Sequence, residues 1–241
     1  KNDSTTLPDY WTKNLNEVQP SKKKIGLIRD CFGEGINSEV DEIVRNYGKK
    51  LEAQGFEIEE FDMPILKYGL AIYYVVQPAE VASNLSRYDG IRYALRSKDA
   101  KSLDEIYTMT RSEGFMKENQ RRIMIGNFVL SSGFYDAYYL KAQKARTLLI
   151  NAYNEAFEKY DALLCPVAPT PAFKLGEKTS DPLTMYLEDA MTVPASMAGL
   201  PALSVPAGKT ADGLPVGAQL IGRAQDDQLL LSIAKSCEEE A

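Results

Sequence analysis

The tightest constraint on the fold is a strand–helix–strand pattern packed into residues 25–61. Ile25-Gly26-Leu27-Ile28 is a short apolar run that reads as a buried strand. Val40, Ile43, Val44, Tyr47 and Leu51 then recur at helical spacing, with Asn37 or Ser38 available as N-cap and Gly55 as the stop. Phe56, Ile58 and Phe61 follow, with Glu57 and Glu59 set between them, as a second strand. Two strands joined by one helix form a parallel crossover unit. That unit places the chain among α/β folds.

The remaining pattern extends this class. Ile65 to Ser97 reads as helical but interrupted, with Pro78 inside it and Asp89-Gly90 as punctuation, so two or three pieces are expected. Leu103 to Met109 suits another short helix. Residues 117–160 carry the longest helical signal: Tyr138, Ala142, Ala145, Leu149, Ala152 and Ala156 form one apolar face. Gly126 and Gly133 mark a bend or a close approach near its start. Ala162-Leu163-Leu164-Cys165 is an apolar strand stopped by Pro166. Residues 166–201 are rich in Pro, Thr and Gly, and a loop region of that size in a compact domain is usually functional. Ala202–Val205 and Val216–Ile221 read as strands joined through Asp212-Gly213. Asp226 is placed to cap a last helix with Leu229, Leu230, Ile233 and Cys237 inward. Residues 1–22, broken by Pro8 and Pro20, read as an extended leader; no domain boundary is evident within 23–241.

Composition removes several chemistries. The chain has no histidine, which excludes Ser-His-Asp and Cys-His hydrolysis and His-containing zinc sites from its own residues. An acyl-transfer reaction here needs Lys, a carboxylate or an amine as base. Cys31, Cys165 and Cys237 are odd in number and far apart, so no disulfide framework is expected, and a reducing compartment such as the cytoplasm fits. The net charge is −6, and Lys22-Lys23-Lys24 is the only basic run, a solvated strand edge rather than a nucleic-acid footprint. No apolar run has membrane-spanning length.

Several residues could carry chemistry. Cys31-Phe32-Gly33-Glu34-Gly35 lies between a strand and a helix, where a phosphate could sit, but the glycine spacing is not a phosphate signature and a plain turn explains it. Ser131-Ser132-Gly133 falls inside helical signal with no base nearby. Cys165 ends a strand but reads as a buried structural thiol. Arg121-Arg122, at the head of a long helix, must turn one guanidinium partly inward, toward an internal salt bridge or an anionic ligand. Asp181-Pro182 suits a helix start; Asp189 fits that role less well.

These stretches resemble the amidase-signature family, and within it the A subunits of glutamyl-tRNA(Gln)/aspartyl-tRNA(Asn) amidotransferases. The resemblance runs through Ser83-Asn84-Leu85-Ser86-Arg87-Tyr88-Asp89-Gly90, Arg121-Arg122-Ile123-Met124-Ile125-Gly126 and Leu130-Ser131-Ser132-Gly133-Phe134-Tyr135-Asp136. It continues in Ala168-Pro169-Thr170-Pro171, Asp181-Pro182-Leu183-Thr184-Met185-Tyr186, Ala198-Gly199-Leu200-Pro201 and Gln219-Leu220-Ile221-Gly222, and departs at Ala94 and Val167.

The resemblance implies the C-terminal part of an amidase-signature fold, a mixed β-sheet flanked by helices. It implies a Ser–Ser–Lys catalytic set that nothing in this sequence matches, so residues 23–241 are expected to be the C-terminal portion of one amidase domain, inactive alone. It also implies that Arg122, Asp189 and Tyr73 bind glutamine, with Arg122 on the carboxylate and Asp189 on the amino group. ATP and Mg belong to a B subunit that also carries most tRNA contact, a C subunit joins the two, and no cofactor is expected in this chain. The alternatives are a fragment of another amide hydrolase of the family, or a non-catalytic partner-binding module. A sheet cut from a larger one is also expected to expose an apolar edge.

Overall fold

A computed structural model describes residues 6–7, 19–93, 95–177 and 182–237. Most of the leader, Ala94 and Asp181 therefore lie outside the described residues. The chain forms two compact units: residues 1–70 with 149–241, and residues 71–148.

The first unit is built on a five-stranded sheet: β1 (Lys24–Ile28), β2 (Glu57–Phe61), β3 (Ala162–Pro166), β4 (Ala202–Lys209) and β5 (Pro215–Ile221), in the order β2-β1-β3-β5-β4. β1 pairs parallel with β2 and β3; β5 runs antiparallel to β3 and β4, so the sheet is mixed. The crossover between β1 and β2 is helix α1 (Ser38–Ala53). Asn37 caps it, its Oδ1 accepting from Glu39 N at 2.9 Å and Val40 N at 3.3 Å. Val40, Val44, Tyr47 and Leu51 are buried into the sheet core beside Leu27, Leu164 and Leu220. Every residue of the central strand β3 is buried. The β4–β5 hairpin turns at Gly213, whose φ of 82° suits glycine. The last helix here, Asp227–Lys235, buries Leu229, Leu230 and Ile233, while Cys237 is half-buried.

Two expectations are corrected in this unit. Asp226 occupies the N-cap position, but its side chain makes no capping bond. The edges of the sheet are not apolar. β2 presents Glu57, Glu59 and Glu60, and β4 carries Pro206. Charge and proline on an edge oppose pairing with another strand. The loop after β1 is a plain turn, as its glycine spacing suggested: Gly33 N donates to the Asp41 carboxylate at 3.3 Å, and an anion there would meet like charge.

The second unit is helical. It contains most of α2 (Gly69–Leu85), then α3 (Leu103–Gly114), α4 (Lys117–Leu130) and the start of α5 (Lys141–Lys159). Ser102 and Glu105 form a reciprocal capping box at the head of α3. Pro78 does not split α2 as its residue type suggests. Its ring costs one backbone bond, about 3 kcal/mol in an isolated helix, but Val76, Ala79 and Ala82 around it are buried, and that burial holds the helix together.

The long signal of residues 117–160 is instead divided. α4 stops at Ser131, whose backbone is extended, Gly133 turns with φ of 89°, and Tyr135–Leu140 forms a π-helical stretch before α5. Ser131-Ser132-Gly133 is thus a helix break and not helix interior. Gly133, marked in the sequence as a bend or close approach, is where the helical signal breaks.

Candidate functional site

Helices α2 and α4 meet closely enough to build a polar cluster. The contact is possible because residue 126 is glycine: a Cβ there would lie 2.0 Å from the Pro78 carbonyl oxygen and 2.6 Å from Ala82 Cβ. One turn earlier on α4 is Arg122, and on the facing turn of α2 are Tyr73, Tyr74 and Gln77.

Arg122 is the inward member of the double arginine, with its side chain 22% exposed against 49% for Arg121. Its Nε donates to Glu118 Oε1 at 3.0 Å. Its Nη1 donates to Tyr73 Oη at 2.9 Å and Gln77 Oε1 at 3.1 Å. The guanidinium also lies 5.8 Å and 5.9 Å from the Tyr73 and Tyr74 ring centroids, and the two rings meet edge to face. Burial works against the charge, but the contacts with Tyr73 and Glu118 outweigh it and raise the Arg122 pKa further. The group is a permanent cation. A guanidinium carries five N–H bonds; Glu118, Tyr73 and Gln77 take three, and the pair on Nη2 has no partner among the described residues. The Tyr73 hydroxyl accepts from Arg122, so its own proton remains to be donated. An anion can therefore be held by Nη2 and the Tyr73 hydroxyl together.

The sequence pattern left Arg122 open between a salt bridge and a ligand. The structure gives it a salt-bridge partner and still leaves donors over. Glu118, Gln77 and Tyr74 escaped the sequence reading. Glu118 had a local signal, four residues before Arg122 on one helix face. Gln77 had none that reaches across from α2 to α4.

Asp189 belongs to the first unit. It follows helix α6 (Pro182–Leu187) in a turn that leads into α7 (Val193–Ala198). Its backbone is fixed: Asp189 N donates to Tyr186 O, and its own carbonyl accepts from Thr192 N and Val193 N. The carboxylate is exposed and has no hydrogen-bond partner among the described residues. It lines a cavity of about 420 Å³ with Thr170, Phe173, Glu188, Thr192 and Ser204. Thr170 Oγ1 donates to Glu188 Oε2 at 2.9 Å. With two carboxylates at its wall and no cation among its described lining residues, the cavity suits a positively charged group.

Cys31 and Cys165 are buried thiols and not placed as nucleophiles. Cys165 is buried and accepts from Gln219 Nε2 at 3.1 Å. A hydrogen bond with Cys165, together with burial, pushes the Cys31 thiol well up. Among the described residues no cluster of His, Cys, Asp or Glu could hold a metal ion, and no helix is long and apolar enough to cross a membrane.

A profile of the amidase family matches residues 1–231. The chain belongs to the amidase family. Within it, this amidase chain is 47% identical over 241 residues to the A subunit of glutamyl-tRNA(Gln) amidotransferase from Cyanothece sp., covering 98% of its own length and 50% of the relative. The corresponding protein of Myxococcus xanthus is 52% identical over 234 residues, covering 97% of this chain and 48% of that protein. The amidase chain thus spans about half the length of the curated relatives it matches. Its fold superposes on the glutamyl-tRNA(Gln) amidotransferase A subunit of Thermotoga maritima with a TM-score of 0.69 and 38% identity, over 92% of this chain and 43% of that one. An amidase at 24% identity has the same fold, with a TM-score of 0.70, covering 92% of this chain and 46% of that one.

Proposed function

We propose that this amidase chain forms part of the glutamine-hydrolysing subunit of a tRNA-dependent amidotransferase. The reaction releases ammonia from glutamine to amidate Glu on tRNA(Gln) or Asp on tRNA(Asn). A B subunit would use that ammonia with ATP and Mg and carry most of the tRNA contact, with a C subunit joining the two. The relatives' names support the reading, and one observation carries it: a partly buried arginine with two donors to spare beside a tyrosine hydroxyl. That pairing suits a free amino acid's carboxylate, held by a charge-assisted bond and a neutral one. A simple amide offers no such anion. On the other unit, Asp189 is proposed for the amino group, the cation that an acidic cavity prefers. The chain's part is recognition; the nucleophile and its base are proposed to come from a Ser–Ser–Lys set outside these residues.

In the native assembly, Arg122→Lys is expected to raise the KM for glutamine by about tenfold or more while free ammonia remains a good nitrogen donor. Lysine keeps the charge but cannot keep three acceptors and still offer a directed pair of N–H bonds. Equal loss with both donors means that Arg122 is only a structural group. The 241-residue chain, purified alone, is expected to release no glutamate from glutamine, because without a nucleophile and base there is no covalent step. Turnover by chain free of other amidase contradicts this division of labour.

A further inference from the structure

We infer that Glu118 is a positioning residue that keeps the ligand-facing nitrogen of Arg122 open, a role that rests on the reading proposed above. A carboxylate often grips a guanidinium with two parallel bonds, and side-on these take Nε and Nη2 together. Here Glu118 takes only Nε, through Oε1 at 3.0 Å. Its other oxygen, Oε2, is drawn off by Arg121 Nη1 at 2.7 Å. Arg121 therefore prevents Glu118 from capping Nη2, the one nitrogen that Tyr73 and Gln77 also leave alone.

The arrangement sets direction as well as vacancy. Acceptors on Nε and Nη1 fix both the plane of the guanidinium and its rotation, so Nη2 points one way before any ligand arrives, and that ordering is not paid for on binding. Charge is preserved too. The Arg122 guanidinium stays a cation with Glu118 bound at Nε, and it still attracts an anion. Glu118 and Arg121 are substantially exposed, at 42% and 49%, so their pairing contributes little to stability. That separates a positioning role from a folding role by experiment.

The test uses the native assembly, with initial rates measured against both glutamine and free ammonia. Glu118→Ala is expected to lower the ratio of glutamine-dependent to ammonia-dependent turnover, at subsaturating donor, by about tenfold, the size of one charge-assisted hydrogen bond. Arg121→Ala is expected to lower the same ratio, because Oε2 is no longer drawn toward Arg121 and can turn onto Nη2. The double variant should be no worse than Glu118→Ala, since the capping carboxylate is then gone. Glu118→Gln serves if the alanine variant is poorly folded, with a smaller fall expected. An unchanged ratio in the Glu118 variants, or a double variant with the two losses simply added, overturns the inference. An unchanged ratio in Arg122→Lys instead overturns the glutamine reading itself.

Discussion

At the scale of single residues, the chain shows how one side chain can be both satisfied and available. Arg122 is held by Glu118, Tyr73 and Gln77, yet its Nη2 remains unclaimed among the described residues. Asp226 shows the opposite case, a polar group with little return. It sits at a helix N-cap without a capping bond. Burial raises its carboxyl pKa; Arg223 opposes this, while Asp161 and Asp227 add to it. A raised carboxyl favours the folded state while protonated, and that contribution is lost as pH rises through the folded value. At neutral pH the ionised group is therefore a penalty. Asp226→Asn should raise the melting temperature at pH 7, with the gain fading as pH falls through the ordinary carboxylate range near about 4. Melts of both proteins across that range measure it, and a lower melting temperature at pH 7 would mean that Asp226 is a stabilising anion.

At the scale of elements, local pattern was enough wherever burial set the period. α1 was readable from Val40 to Leu51 because one face meets the sheet, and β3 because all of it is buried. The parallel pairing of β1 and β2 followed from the single helix between them. Pattern failed where one backbone angle or one contact decided the outcome. Periodicity alone carried a helix through Ser131, although Gly133 was marked as a bend, and Pro78 stayed within a helix it was expected to break. The sequence singled out Arg122 and Asp189 by residue type and Tyr73 by resemblance. It missed Gln77, because Gln77 reaches Arg122 only through the approach of α2 to α4. That approach depends on Gly126. Alanine there gains about 1 kcal/mol of helix propensity but puts a methyl against the Pro78 carbonyl. The net expectation for Gly126→Ala is a loss of about 1–3 kcal/mol in denaturant unfolding. It should also weaken glutamine selectivity by moving α4 off Tyr73. Neutral or higher stability would show that the two helices separate without cost.

At the scale of the whole molecule, the two units carry different chemistry. The sheet unit offers carboxylates at a cavity, and its edges are guarded by Glu57, Glu59, Glu60 and Pro206. The helical unit offers the cation, and it also exposes Met124, Phe128, Tyr135 and Tyr138; Tyr138 thus leaves the apolar face on which the sequence placed it with Ala142 and Leu149, because the π-helical stretch shifts the period before α5. The α/β class was legible because alternating strands and helices leave few topologies. The family was legible because its motifs are long and in order. The account depends most on what Arg122 meets. A structure of the native assembly with glutamine bound tests it directly. The expected result is a substrate carboxylate oxygen within about 3 Å of Arg122 Nη2, with the Tyr73 hydroxyl donating to the same group. A glutamine carboxylate seated elsewhere, with Nη2 still unengaged, would contradict it.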